Sequence, residues 1–297
     1  MTTNLAIRAP SAWVASDISR RDIAIDLDEI ALDALAKWDR PVAEPPAPLV
    51  ALAEKVMRQL NTGPGFAILS GWNVSDWTLE ENHQRLLHFG GLLGRLRPQY
   101  LSGELVGHVA VQPGNGSRVG TTTSDIEALP HTEKGRPPGT PRVIGLLCVR
   151  PAVSGGESYL VSGHTLHNYL LEVAPDVVPR LYQDFIWGRH AEVYPDGLTI
   201  DREPVFRRTA TALCVRYGRS WIPVGERSSG VPLDDDGHQA LDAIDRVLGD
   251  EALHFGFRLE PGELVLINNR TVLHARRCFK DHADVSKGRL LLRIWLD

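Results

Sequence analysis

Three side chains in this sequence could hold a metal ion between them. His131 and Glu133 stand two apart in Leu129-Pro-His-Thr-Glu133, and His274 lies far downstream in the apolar stretch 271–279. On an extended backbone, residues i and i+2 project to the same face, so one imidazole and one carboxylate can converge on one ion. A β fold that lays a distant strand alongside would bring in the second imidazole. Two neutral nitrogens and a carboxylate on one face of an octahedron leave three positions open, as in oxygen-activating iron(II) centres. A zinc hydrolase could use the same triad, although zinc prefers four-coordinate geometry.

A second chemical signal is the closing run Gly288-Arg-Leu-Leu-Leu-Arg-Ile-Trp-Leu-Asp297. Period-two alternation puts Arg289, Leu291, Arg293 and Trp295 on one face and Leu290, Leu292, Ile294 and Leu296 on the other. Two arginines in so apolar a strand need a reason, because a buried guanidinium is costly unless it is paired. A small dicarboxylate would supply that partner through a bidentate, charge-assisted contact.

With these pieces in hand, the chain resembles the iron(II)/2-oxoglutarate dioxygenases related to taurine dioxygenase, 2,4-dichlorophenoxyacetate dioxygenase and clavaminate synthase. The matching pieces are His131-Thr-Glu133, Gly155-Gly-Glu-Ser158, Asn268-Asn-Arg-Thr-Val-Leu-His274-Ala-Arg276 and Arg289-Leu-Leu-Leu-Arg293, in the family's order over residues 60–297. Each piece is weak alone, but the ordered set is specific. The resemblance implies a mainly β chain with flanking helices and a double-stranded β-helix (jelly roll) core. It implies Fe(2+) held by His131, Glu133 and His274, with 2-oxoglutarate and O2 as co-substrates and succinate and CO2 as products. It places Arg289 and the Ser158 hydroxyl at the distal carboxylate of 2-oxoglutarate, and Arg293 near the other end of the co-substrate or the substrate. Glu133 in place of the commoner Asp resembles clavaminate synthase and its amino-acid-hydroxylating relatives. That likeness points to oxidation, chiefly hydroxylation, of an unactivated C–H bond in an amino acid or amino-acid-like compound, and leaves desaturation and ring closure open. The interval from His274 to Arg289 is longer than in taurine dioxygenase, so the loop 280–287 must absorb the difference.

The elements that would position these residues can be read in part. Leu49, Leu52, Val56 and Leu60 recur at helical spacing, as does the stretch 79–93. Strands are expected over 66–69, 143–149, 264–267, 271–279 and 289–296, with turns at Pro261-Gly-Glu263 and Asn268-Asn-Arg270. Helices are expected over 166–173 and 240–248, the latter preceded by Asp234, Asp235 and Asp236, which suit a helix N-terminus. The segment 97–130 is rich in Gly, Thr, Ser and Pro without a period and reads as a loop-rich lid; 186–230 reads as a second insert. One domain over 1–297 is expected, with residues 1–60 as a helical extension. Gln99, Tyr100, Thr123, Ser124, Asp125, Arg216 and Trp221 are the candidate substrate contacts, with Asp125 suited to an amine and Arg216 or Arg293 to a carboxylate. His164 and His167, three apart on a helix, are read as structural.

Bulk composition excludes several classes. Hydrophobic residues are 43% and charged residues 23%, with net charge −5 and pI near 6.1. This is globular composition without the basic clustering that nucleic-acid binding requires. No stretch approaches the ~20 apolar residues of a membrane span. Cys148, Cys214 and Cys278 are odd in number and widely spaced, which fits a reducing cytoplasm rather than a disulfide framework. The expected partner is a small-molecule substrate, with no nucleic acid and no membrane; a homo-oligomer is left open. A non-catalytic jelly-roll binding protein is the competing class, against which the intact ligand residues argue.

Overall fold

The computed structural model describes residues 6–38, 44–100, 102–111, 123–133, 140–189, 199–210 and 212–297. Its two larger sheets use β1 (Ala24–Asp26), β2 (Phe66–Ser70), β3 (Val106–Val109), β4 (Ala128–His131), β5 (Val143–Arg150), β6 (Ser158–Ser162), β7 (Phe255–Phe257), β8 (Leu264–Asn268), β9 (Val272–Arg276) and β10 (Leu290–Leu296). The six-stranded sheet has the order β1-β2-β8-β5-β10-β3 and the four-stranded sheet the order β7-β6-β9-β4. Only β1–β2 is parallel among these pairs.

Alternation along the strands explains the layers. On β10, Leu290, Leu292, Ile294 and Leu296 join a core with Leu147, Leu264 and Leu266, covered by the helices Glu29–Lys37, Ala47–Thr62 and Leu79–Leu93. On the small sheet, Tyr159, Val161, Leu273 and Ala275 pack against Leu166 and Leu170 of Gly163–Val173 and Ala240, Leu241 and Ile244 of Asp235–Leu248. The opposite faces meet each other: Phe66, Ile68, Cys148, Val265, Ile267 and Leu291 of the large sheet share a cluster with Leu160, Val272, Phe255 and Phe257 of the small one. Each fully buried aliphatic side chain contributes roughly 1.5–3 kcal/mol. The inner layer is therefore a strongly apolar place in which any charge must be accounted for.

Sequence expectations hold for the helices Ala47–Thr62 and Leu79–Leu93. The second starts at a capping box, with Glu81 N–H on Thr78 Oγ1 and Thr78 N–H on Glu81 Oε2. Asp234 caps the helix Asp235–Leu248 by accepting from Gly237 N–H at 2.6 Å. Other expectations change. Helices hold more of the described residues than strands do, so the chain is mixed α and β rather than mainly β. The segment 97–130 contains β3 and β4; four-residue strands with two buried positions each are too short to leave a period. The strand expected over 271–279 stops at Arg276, and Phe279–Lys280 pairs separately with Ser154–Gly155. The first 60 residues are more than helical, since β1 adds an edge to the large sheet.

The turn into β8 shows how tightly the two sheets are fixed. Gly262 has φ +82°, and a Cβ there would meet Trp72 O at 2.1 Å. Gly103 has φ +93° with nothing within 4 Å of such a Cβ. Both replacements by Ala carry the cost of a left-handed residue, about 1 kcal/mol, but only Gly262→Ala also displaces backbone. Urea unfolding is expected to show Gly262→Ala less stable than Gly103→Ala by at least ~1 kcal/mol; equal losses would show that the Trp72 contact relaxes freely.

Candidate active site

The backbone places two of the sequence-predicted ligands side by side. β4 is the edge strand of the small sheet, which is where Pro130 can be accommodated without losing a ladder bond. It pairs antiparallel with β9 so that His131 is opposite His274 and Ala128 opposite Arg276, with an irregularity between. A bulge of this kind re-aims side chains at a strand end. The imidazole centroids lie 4.3 Å apart, with the rings inclined at 45°.

Hydrogen bonding sets the chemistry of each ring. His131 Nδ1 lies 2.7 Å from Leu129 O. A carbonyl can only accept, so Nδ1 carries the proton and Nε2 keeps its lone pair. His274 Nδ1 is buried and has no hydrogen-bond partner among the described residues. Burial, then the neighbouring His131 and Arg293, hold the His274 pKa well below the ordinary histidine value, so the ring is neutral at pH 7. Neutral imidazole is the form that binds a metal.

Glu133 is held from two sides. Asn269 Oδ1 accepts its N–H at 2.6 Å, and Asn269 Nδ2 donates to its carbonyl at 3.0 Å. Arg293 Nη1 donates to Glu133 Oε2 at 3.0 Å. Between the two ligands, Thr132 N–H donates to Tyr217 O at 2.8 Å and Tyr217 N–H to Thr132 Oγ1 at 3.0 Å. Tyr217 in turn hydrogen-bonds Asp245 of the covering helix, and burial followed by Asp245 pushes its phenol pKa up. Among the described residues, no three His, Cys, Asp or Glu side chains close on a single point. The two imidazoles meet, while the Glu133 carboxylate turns to the guanidinium of Arg293. The donor set nevertheless fits iron(II): one imidazole with its lone pair fixed outward, one neutral imidazole with an unpartnered buried nitrogen, and an adjacent carboxylate.

Arg293 of β10 and Arg289, the residue just before it, are both buried, as alternation predicts. Arg293 Nε donates to Gln99 Oε1 at 2.7 Å, Gln99 Nε2 donates to Arg293 O at 2.6 Å, and the guanidinium lies 4.8 Å from the Trp295 ring centroid. Gly107, the register partner of Arg293, makes room, since a Cβ there would meet Gln99 Oε1 at 2.5 Å. Arg289 is 6% exposed, its Nη1 is buried without a partner among the described residues, and its guanidinium lies 5.2 Å from the Phe279 centroid. Burial lowers its pKa, opposed by Cys148 and Asp281. The loop 280–287 is shaped to deliver it, with Arg289 N–H on Asp281 Oδ1 at 2.8 Å.

Alternation also exposes a residue the sequence reading passed over. Arg276 follows His274 by two, is the register partner of Ser158 on β6, and has its guanidinium 4.6 Å from the Phe279 ring centroid. Burial, then Arg289, bring its pKa down to about 10. Asn269 stands in the matching run without a role of its own, and Tyr217 is not singled out by the sequence; neither has a spacing that marks it.

The substrate candidates separate into groups. Arg216 and Trp221 line a small cleft with Thr132, Glu133, Trp187, Tyr217 and Gly218. Arg216 is already engaged, at 2.8 Å from both Asp201 and Glu203. Gln99 serves Arg293, and Tyr100 is partly exposed beside Gly107. Thr123 and Ser124 are half-buried. Asp125 is exposed, accepts Phe279 N–H through its carbonyl, and is not among the residues lining the cleft. His164 and His167 are structural, bonded to Ser11 and Leu213 and to Tyr182.

Comparison with known proteins gives one consistent answer. The model of the family described as "Taurine catabolism dioxygenase TauD, TfdA family" matches residues 33–295. FR-33289 synthase of Streptomyces rubellomurinus is 26% identical over 96% of this chain and 84% of its own. Uridine-5'-phosphate dioxygenase of a Streptomyces species is 29% identical over 52% of this chain and 56% of its own. Among solved structures, asparagine oxygenase in complex with Fe(II), 2S,3S-3-hydroxyasparagine and succinate superposes with TM-score 0.70 at 19% identity, over 92% of this chain and 93% of that one. The non-heme iron oxygenase OrfP in complex with Fe and alpha-ketoglutaric acid superposes with TM-score 0.64 at 14% identity, over 92% and 93%. Family match, paired histidines and buried arginine agree: the chain belongs to the TauD/TfdA dioxygenase family and is an iron(II)- and 2-oxoglutarate-dependent oxygenase.

Proposed function

We propose that His131, Glu133 and His274 are the iron ligands, that Arg289 binds the distal carboxylate of 2-oxoglutarate with Ser158 nearby, and that the substrate is an amino acid or amino-acid-like compound. The observation that carries this reading is the cross-strand pairing of His131 with His274, inside a sandwich whose opposite sheet presents a buried guanidinium with an unpartnered Nη1. The two facing sheets are read as a double-stranded β-helix, the jelly roll, within one domain. Cysteines free of disulfide bonds suit a cytoplasmic enzyme.

When bound, iron would activate O2, the oxidant, with 2-oxoglutarate giving up two electrons as it becomes succinate and CO2 and the second oxygen atom going to the substrate. The chain supplies orientation and charge. His131 Nε2 and the neutral His274 ring donate nitrogen lone pairs. Glu133 donates through the oxygen that Arg293 leaves free. Arg289 neutralises and aligns the keto-diacid, and the apolar inner faces exclude water. Trp187, Trp221 and Tyr217 line a small cleft beside Glu133, with Arg216, held by Asp201 and Glu203, as the cation at its wall. The neighbours bound to 3-hydroxyasparagine and, for OrfP, to (3S)-hydroxy-L-Arg support this substrate class.

A screen of amino acids and their derivatives with iron(II), ascorbate and 2-oxoglutarate is expected to yield succinate in step with a product one oxygen heavier. Succinate no higher than the substrate-free background across the whole set would remove the amino-acid reading. Arg289→Ala should raise the KM for 2-oxoglutarate on the order of 100-fold, the ~3 kcal/mol typical of stripping one member from a buried charge pair, while iron(II) affinity stays unchanged. An unchanged KM would unseat Arg289 from the co-substrate. His274→Ala should abolish succinate formation in a protein that still unfolds cooperatively; retained turnover would exclude His274 as a ligand.

A further inference from the structure

We propose that Asn269 is the positioning residue of the iron site, fixing the backbone of Glu133 beside the paired histidines so that its carboxylate is within reach of a metal held there. The inference rests on the reading of Glu133 as a ligand.

Glu133 lies two residues beyond the end of β4, so no strand neighbour sets its backbone. Asn269 takes that place. It is 2% exposed, and its amide is spent on this one segment: Oδ1 accepts Glu133 N–H at 2.6 Å, while Nδ2 donates to Glu133 O at 3.0 Å and to Pro141 O at 2.9 Å. Bonding both the N–H and the C=O of one residue reproduces what a neighbouring strand does in a ladder. Only Asn or Gln carries an acceptor and two donors on one planar group, and Asn is short enough to leave little slack. Its own backbone is anchored by Asn269 N–H on Arg142 O at 2.9 Å.

Location gives the clamp its purpose. Asn269 sits in the turn between β8 of the large sheet and β9 of the small one, five residues before His274. The carboxylate is thus tied to the chain segment that delivers the second histidine. Arg293 holds the tip of the Glu133 side chain from β10, so backbone and carboxylate are gripped from two independent strands. A carboxylate held at both ends is pre-oriented, and loss of such outer partners typically weakens metal binding ~10–100-fold.

A double-mutant cycle tests this through metal affinity alone, with Mn(II) as probe and the unbound ion followed by its paramagnetic resonance signal. Asn269→Ala should weaken Mn(II) binding ~10–100-fold in the otherwise native chain, yet less than about 2-fold further when Glu133→Ala is already present. Asn269→Asp keeps the acceptor but loses both donors, and should also bind more weakly; it carries the test if the alanine variant does not fold. Circular dichroism at the assay temperature confirms that each variant is folded. Native-like Mn(II) affinity in Asn269→Ala, or the same loss with and without Glu133, would overturn the clamp. If Glu133→Ala itself leaves Mn(II) binding unchanged, the ligand reading falls, which is a separate result.

Discussion

The constraint on which this structure turns is charge inside an apolar sandwich. Moving a guanidinium from water to a protein interior costs several kcal/mol even after relaxation, against a total stability of about 5–15 kcal/mol for a typical domain. The closing segment carries two of them, Arg293 on β10 and Arg289 just before it. Arg293 is compensated from within by Glu133, Gln99 and the face of Trp295. Arg289 has the Phe279 ring but keeps a buried Nη1 without a partner among the described residues. An interior built one anion short is a poor way to gain stability and a good way to bind a small diacid, because the binding energy is largely the relief of that deficit.

The second constraint is register. A shift of one residue between β4 and β9 would send His131 to the opposite face from His274. Several features oppose such slippage. Leu160 and Val272 must stay in the inner layer while Tyr159, Val161, Leu273 and Ala275 stay under the helices. The backbone bonds between Thr132 and Tyr217 fix the strand's exit. Packing on both faces of the small sheet is therefore what aligns His131 with His274, and the two histidines themselves need contribute nothing to the fold.

How much of this could be read from residues alone depends on the range of the signal. The alternation of Arg289, Leu291, Arg293 and Trp295 against Leu290, Leu292, Ile294 and Leu296 is local, and it predicted both the buried face and the need for an anion. The facing of His131 and His274 agrees with the reading of distant strands laid side by side, whereas Glu133 lies beyond β4, where the rule of two along a strand no longer applies. The edge strands β3 and β4 were missed because four residues with two buried positions do not make a period. Arg276 was within reach, since it shares the face of His274 by the same rule of two. Asn269 was not: its role lies in three hydrogen bonds to residues more than a hundred positions away, and nothing in Asn-Asn-Arg distinguishes it from an ordinary turn. The proportion of helix was underestimated because the site sequences that carry the family likeness are all on strands and turns.

The contact between Arg293 and Glu133 bears on the coordination number of the proposed site. A carboxylate has two oxygens, and Oε2 is taken by the guanidinium at 3.0 Å. Oε1 has no hydrogen-bond partner among the described residues and is the oxygen left free. A glutamate free of such a partner could close on a metal with both oxygens and fill a fourth position of six. With Oε2 held, the protein contributes two nitrogens and one oxygen, and three positions stay open. On the proposed ligand reading, Arg293 would hold one oxygen of Glu133 and leave the other for the metal.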